Sequence, residues 1–161
     1  MVTNKRLIIF GAFMAFALSN LNAEQVEVTT ADFFADENKL ISDLKGGVHI
    51  KKGDFDELTS ESGRIYFNKE KQPVKYVATG NVKMKAIVNG KKYDGSGDEA
   101  TYEPATSTYT LTGKAYLHEI DTDKKVYGNR ITVNQKDGTY HVDSADKQPV
   151  RMIFQVEDAK K

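Results

Sequence analysis

The sequence predicts an all-β domain. Three observations lead there: an apolar period of two, turn residues at short intervals, and a strand template that recurs along the chain. Val26-Glu27-Val28, Val48-His49-Ile50, Val82-Lys83-Met84 and Ala115-Tyr116-Leu117 each set two apolar residues around one that faces the other way. That alternation is the mark of a strand with one buried and one wetter face. Val, Ile, Thr and Tyr, which fit a pleated surface, are frequent. Turn signals arrive about every 8–12 residues, as in a sandwich or barrel.

In chain order, a strand at Gln25–Thr29 is followed by the only stretch with any helical character, a short turn near Ala31 to Lys39. After Val48–Ile50, the carboxylates Asp54, Asp56, Glu57 and Glu61 read as a loop. Asn89-Gly90 lies between two alternating runs and predicts a two-residue hairpin, because both positions of that turn need positive φ. Gly95-Ser96-Gly97-Asp98-Glu99 reads as a turn, Asp121-Thr122-Asp123 as a hairpin, and Asp137-Gly138 as the link from Ile131-Thr132-Val133 to Thr139–Val142. Val150–Val156 reads as a final strand.

Three segments share the pattern apolar-x-Gly-x-apolar-x-apolar: Leu44–Ile50, Ala78–Met84 and Leu111–Leu117. Their glycines, Gly46, Gly80 and Gly113, are 34 and 33 residues apart. A second echo pairs Lys71-Gln72-Pro73-Val74 with Lys147-Gln148-Pro149-Val150. A glycine between apolar runs suits a bend where one strand hands over to the next, and stacked units of this kind bury a common interior. Aligning the copies sets Val48, Ile50, Val82, Met84, Ala115 and Leu117 on one side, with Tyr76, Ala78, Tyr109 and Leu111 leading in. Phe67, Ile131, Val133 and Phe154 are further candidates from other strands. By pattern alone, such a stripe is an ordinary sealed core.

Composition narrows the function. The 161 residues carry 23 basic and 23 acidic side chains and no cysteine. A balanced charge argues against a basic nucleic-acid binder, and without cysteine there is no disulfide, thiolate nucleophile or lipoprotein attachment point. Residues 1–23 have the layout of a secretory signal peptide: Lys5 and Arg6, an apolar run from Leu7 to Leu18, then a cleavage region ending at Ala23. The run is shorter than the roughly 20 residues a membrane span needs. Residues 24–161 then form the mature domain, with 21 basic against 23 acidic side chains.

No catalytic constellation, metal site or cofactor motif is expected. His49, His118 and His141 lack metal-ligand spacing and read as solvated strand histidines. The Gly95–Glu99 segment has neither the nucleophile-elbow spacing nor a calcium-ligand series. The Asp54/Glu57 carboxylates leave open a carbohydrate-acting enzyme, though nothing in the sequence brackets a sugar with them. No phosphate loop is present.

Thr101-Tyr102-Glu103-Pro104-Ala105 and Leu111-Thr112-Gly113-Lys114-Ala115-Tyr116-Leu117, continuing through Asp121, Gly128 and Ile131-Thr132-Val133, resemble the central signature of the LptA/OstA family of periplasmic lipopolysaccharide transport proteins. Gly80-Asn81-Val82 and Gly46-Gly47-Val48 resemble its repeated Gly-Asn-Val strand starts; Gly47 and Lys114 stand where Asn is usual. The resemblance covers about Val26 to Val156. It implies an open antiparallel β-jellyroll whose interior holds lipid A acyl chains, with Val48, Ile50, Val82, Met84, Leu111, Ala115, Leu117 and Phe154 as lining. It also implies head-to-tail self-association through edges at Val26, Val28, Met152 and Phe154, and a bridge between an inner-membrane transport complex and an outer-membrane translocon. A structural interaction module with a sealed core is the alternative. Uncovered edges invite strand addition, which Lys147, Arg151, Lys160 and Lys161 would oppose.

Overall fold

The computed structural model describes residues 25–144 and 148–157. The expected signal peptide and the edge lysines Lys147, Lys160 and Lys161 lie outside them. Nine strands form one sheet: β1 (Val26–Asp36), β2 (Ile41–Lys52), β3 (Asp56–Phe67), β4 (Pro73–Val88), β5 (Lys91–Glu103), β6 (Thr108–Glu119), β7 (Lys124–Asn134), β8 (Thr139–Asp143) and β9 (Arg151–Ile153). Spatial order follows chain order from β1 to β8, and β9 also pairs with β7. Every pairing is antiparallel, so short turns suffice to connect the strands. The Asn89-Gly90 hairpin forms as expected, with φ of 51° and 76°.

The repeated glycines explain the curl of this sheet. On β2, β4 and β6 the register slips at Gly46-Gly47, Gly80-Asn81 and Gly113-Lys114, two residues facing one on the next strand. All six have positive φ, from 45° at Asn81 to 89° at Gly47. Such bulges bend a strand and raise its twist. Because they fall in line across the sheet, the two halves of each strand fold toward one another. Leu44, Ile65, Tyr76 and Ala78 from one side of the line then pack in one cluster with Val48, Ile50, Leu58 and Val82 from the other. Each buried side chain of this size contributes about 1.5–3 kcal/mol. A smaller cluster, Leu111, Ala115 and Ile131, continues the interior toward β7.

The last strand departs from the repeat. β8 and β9 run along the same edge of β7, leaving it at Asp143 opposite Arg130 and rejoining at Arg151 opposite Tyr127. Pairing with β7 thus ends at Asp143 and resumes at Arg151, in place of a two-residue bulge. The sheet is open: among the described residues β1 pairs only with β2, and β8 and β9 only with β7.

Four expectations are corrected. Of the expected Ala31–Lys39 turn only Glu37–Lys39 turn; Ala31–Asp36 is instead the second half of β1, where a bulge near Ala31 lets pairing resume through Asp36. Gly95–Glu99 lies inside β5; a Cβ on Gly95 would meet the Tyr116 carbonyl at 3.1 Å and Leu111 at 3.2 Å, so the glycines mark the close approach of β6 rather than a turn. Of the four loop carboxylates only Asp54 precedes β3, whose pairing with β2 and β4 claims Asp56, Glu57 and Glu61. The final strand spans Arg151–Ile153, and Phe154 lies beyond it, 58% exposed.

Candidate functional site: an apolar interior open at its edges

Strand register aligns the interior into rows. On one side of the bulge line Val28, Ile50, Leu58, Met84, Gly95, Leu117, Val126 and Met152 face one another in succession across the sheet. On the other side Leu44, Gly63, Ala78, Ala100, Leu111, Ile131 and Val142 form a second row. Neither row contains a charged residue. A third row, Ile65, Tyr76, Tyr102, Tyr109, Val133 and Tyr140, adds an aromatic rung. Tyr102 stacks on Tyr109 at 4.3 Å between centroids and on Tyr76 at 6.0 Å. Burial pushes the phenols of Tyr76 and Tyr109 well above their ordinary value, so both stay neutral.

Val48, Ile50, Val82, Leu111 and Ala115 are buried, as are Tyr76, Ala78 and Ile131. Met84, Leu117 and Val133 are half-buried at the looser end of the interior, packed against Leu111, Ala115 and Ile131. Phe67 packs on the first cluster. Phe154 is not brought to the interior, because the chain has left the sheet before it. Val26 and Val28 are half-buried on the open edge of β1, while Met152 is 62% exposed at the opposite edge.

Two voids lie between these walls. One, about 40 Å³, is bounded by Leu58, Ala78, Ala100 and Tyr102; the other, about 50 Å³, by Ala86, Tyr93, Ile131 and Tyr140. Each is partly open to solvent rather than enclosed. Sequence reading missed Leu58, Ile65, Tyr93 and Tyr102 as interior residues. Their alternation was available, but Asp56-Glu57 and Gly95-Ser96-Gly97 drew both segments toward loop and turn readings.

The outer face is polar and its groups are matched. Glu57 meets His49 at 2.6 Å, and this hydrogen bond holds its carboxyl below the usual range. Asp56 accepts the Ile87 amide at 2.9 Å, and Glu61 accepts the Asn81 side-chain amide at 2.7 Å. Of the two carboxylates that left an enzymatic reading open, Glu57 on β3 is thus engaged with His49, and Asp54 lies before that strand. His118 is not solvated: its ring, 16% exposed, sits between Asp94 at 3.1 Å and Asp123 at 2.9 Å. Tyr116 faces outward beside Tyr127, at 4.9 Å, while Leu117 faces the larger void.

A single antiparallel sheet, bent along a line of bulges around an uncharged interior and left unpaired at both edges, defines an open β-jellyroll. The family model described as LptA/(LptD N-terminal domain) LPS transport protein matches residues 27–139, and the chain belongs to that family. The same fold appears in the crystal structure of LptH, the LptA-homologous periplasmic component of the lipopolysaccharide transport device of Pseudomonas aeruginosa. That structure superimposes with a TM-score of 0.68 at 13% identity, over 83% of this chain and 96% of that one. No match appears among curated proteins. Family membership assigns the chain to lipopolysaccharide transport, a non-enzymatic role.

Proposed function

We propose that this chain is a periplasmic carrier that holds the acyl chains of lipopolysaccharide in its apolar interior and passes them along a head-to-tail bridge. The observation that carries this reading is the pair of uncharged rows running across the sheet from one open edge to the other. A leader at residues 1–23 would deliver the chain to the periplasm. The partners expected on this reading are those the family resemblance implies, an inner-membrane transport complex and an outer-membrane translocon.

The energetic reason for a continuous interior is simple. Burying one CH₂ is worth about 0.8 kcal/mol, so moving a 12-carbon chain into water costs on the order of 10 kcal/mol. A protein wall that accompanies the chains removes most of that barrier, while the sugar head group stays in water at the open side. Successive sites need only comparable affinity, and a push from upstream sets direction.

A sealed interaction module is the second reading, and the small spare volume of the two voids favours it. A photoreactive residue at Leu117 or, separately, at Tyr116 decides between them in cells. The carrier reading expects lipopolysaccharide adducts at Leu117 and none at Tyr116. Crosslinks from Leu117 only within the protein would establish the sealed module instead.

A further inference from the structure

The two voids share three wall residues: Met84 from β4 and Tyr109 and Leu111 from β6. Between those strands runs β5, whose inward residue at this level is Gly95. Its missing side chain makes room for the contact, because a Cβ there would lie 3.2 Å from Leu111 and 3.4 Å from Leu117. The three side chains therefore stand as a partition across the interior. One side is walled by Leu58, Ala78 and Tyr102, the other by Ile131, Val133 and Tyr140.

Resting on the carrier reading, we propose that Met84, Tyr109 and Leu111 form a septum dividing the acyl-chain interior into two compartments, with Met84 as its moving part. The three residues differ in freedom. Leu111 is 5% exposed and branched, with fewer rotatable bonds than methionine. The Tyr109 ring is held by stacking on Tyr102. Met84 is half-buried, unbranched and has three rotatable bonds, the side chain best able to swing aside and return without strain. In this arrangement passage between compartments requires a rotamer change at Met84 rather than separation of strands. The interior then works as two consecutive holding sites instead of one open trough.

Tyr102 walls only the first compartment and Tyr140 only the second, so a benzoylphenylalanine at either position reports on one side. The experiment adds purified lipopolysaccharide to the full chain, irradiates, and compares adducts at the two positions for Met84, M84A, M84F and M84L. Adducts at both positions are expected with Met84 present. M84F fills the passage, and labelling at one reporter falls about tenfold relative to the other, equivalent to about 1.4 kcal/mol. M84A removes the partition and brings the two reporters closer to equal labelling. M84L conserves volume, and so the fold, but slows the approach to the final ratio without changing it. Equal loss at both positions in M84F, or an unchanged time course in M84L, overturns the septum. Absence of adducts at both positions with Met84 in place refutes the carrier reading itself, a separate outcome.

Discussion

At the scale of single residues, the bulge line shows two constraints acting on one glycine. Gly80 has φ of 87°, and a Cβ there would also overlap the Glu61 side chain on β3. Gly47 has φ of 89° but open space around it. Alanine at Gly47 therefore pays for backbone strain alone, about 1 kcal/mol, while alanine at Gly80 must also displace Glu61 and costs about 2–3 kcal/mol. Urea denaturation of the two variants measures the difference; equal losses would mean that the overlap relaxes freely. Asp43 supplies a pH-dependent case. Its carboxylate, 11% exposed, receives two hydrogen bonds from Arg64 at 2.6 and 2.9 Å. Hydrogen bonding to Arg64 holds its pKa below the ordinary 3.8, so the pair's contribution is complete above that pH and is lost as pH falls through the folded value. Because Arg64 is 43% exposed, D43N should cost about 1 kcal/mol at neutral pH. The gap from the natural protein should narrow as pH falls below 3.8. A gap that did not narrow with falling pH would assign the loss to packing rather than charge.

At the scale of elements, most of the strands were legible because alternation and turn chemistry are local. Val48-His49-Ile50 and Val82-Lys83-Met84 declare their parity in three residues, and Asn89-Gly90 declares its turn in two. The repeat spacing located the glycines, but each proves to be a bulge within one strand rather than a hand-over between two, because the backbone there takes positive φ while pairing continues on both sides. What failed depended on partners distant in sequence. Nothing local shows that Gly95 and Gly97 lie within a strand, because the reason is the approach of β6 atoms to β5. Likewise β1 continues past Ala31 because β2 offers pairing partners from Ile41 to Lys45, which a local reading of Ala31–Lys39 cannot contain. The C-terminal edge was misjudged for the opposite reason. Val150–Val156 has strand composition, but only Arg151–Ile153 faces a free stretch of β7, and Phe154 lies past the end of that stretch. The apolar rows were partly legible as a stripe; their division by Met84, Tyr109 and Leu111 depends on register across three strands.

At the scale of the whole molecule, the open sheet leaves two different edges, and their difference makes association testable. β1 presents an outer edge with no neighbouring strand, and Phe33 and Phe34 on it are 44% and 53% exposed, while the other edge presents Met152, Ile153 and Phe154 at 62%, 38% and 58%. Unpaired, apolar edges are templates for strand addition, and lysine is the residue that guards them. A head-to-tail contact uses one edge of each kind and does not close, whereas a two-fold contact uses the same edge twice. Two variants separate these geometries: a chain ending after Val150, which lacks β9, and F34K, which guards β1. In a head-to-tail assembly each variant alone stays monomeric across a concentration series in light scattering, because every contact needs both edges. Mixed together they form one contact, β9 of F34K against β1 of the truncated chain, and growth stops at a pair. A two-fold assembly would leave one variant still able to dimerise alone. Growth of the mixture beyond a pair would place the contact elsewhere on the molecule and remove the structural basis for a continuous lipid path from subunit to subunit.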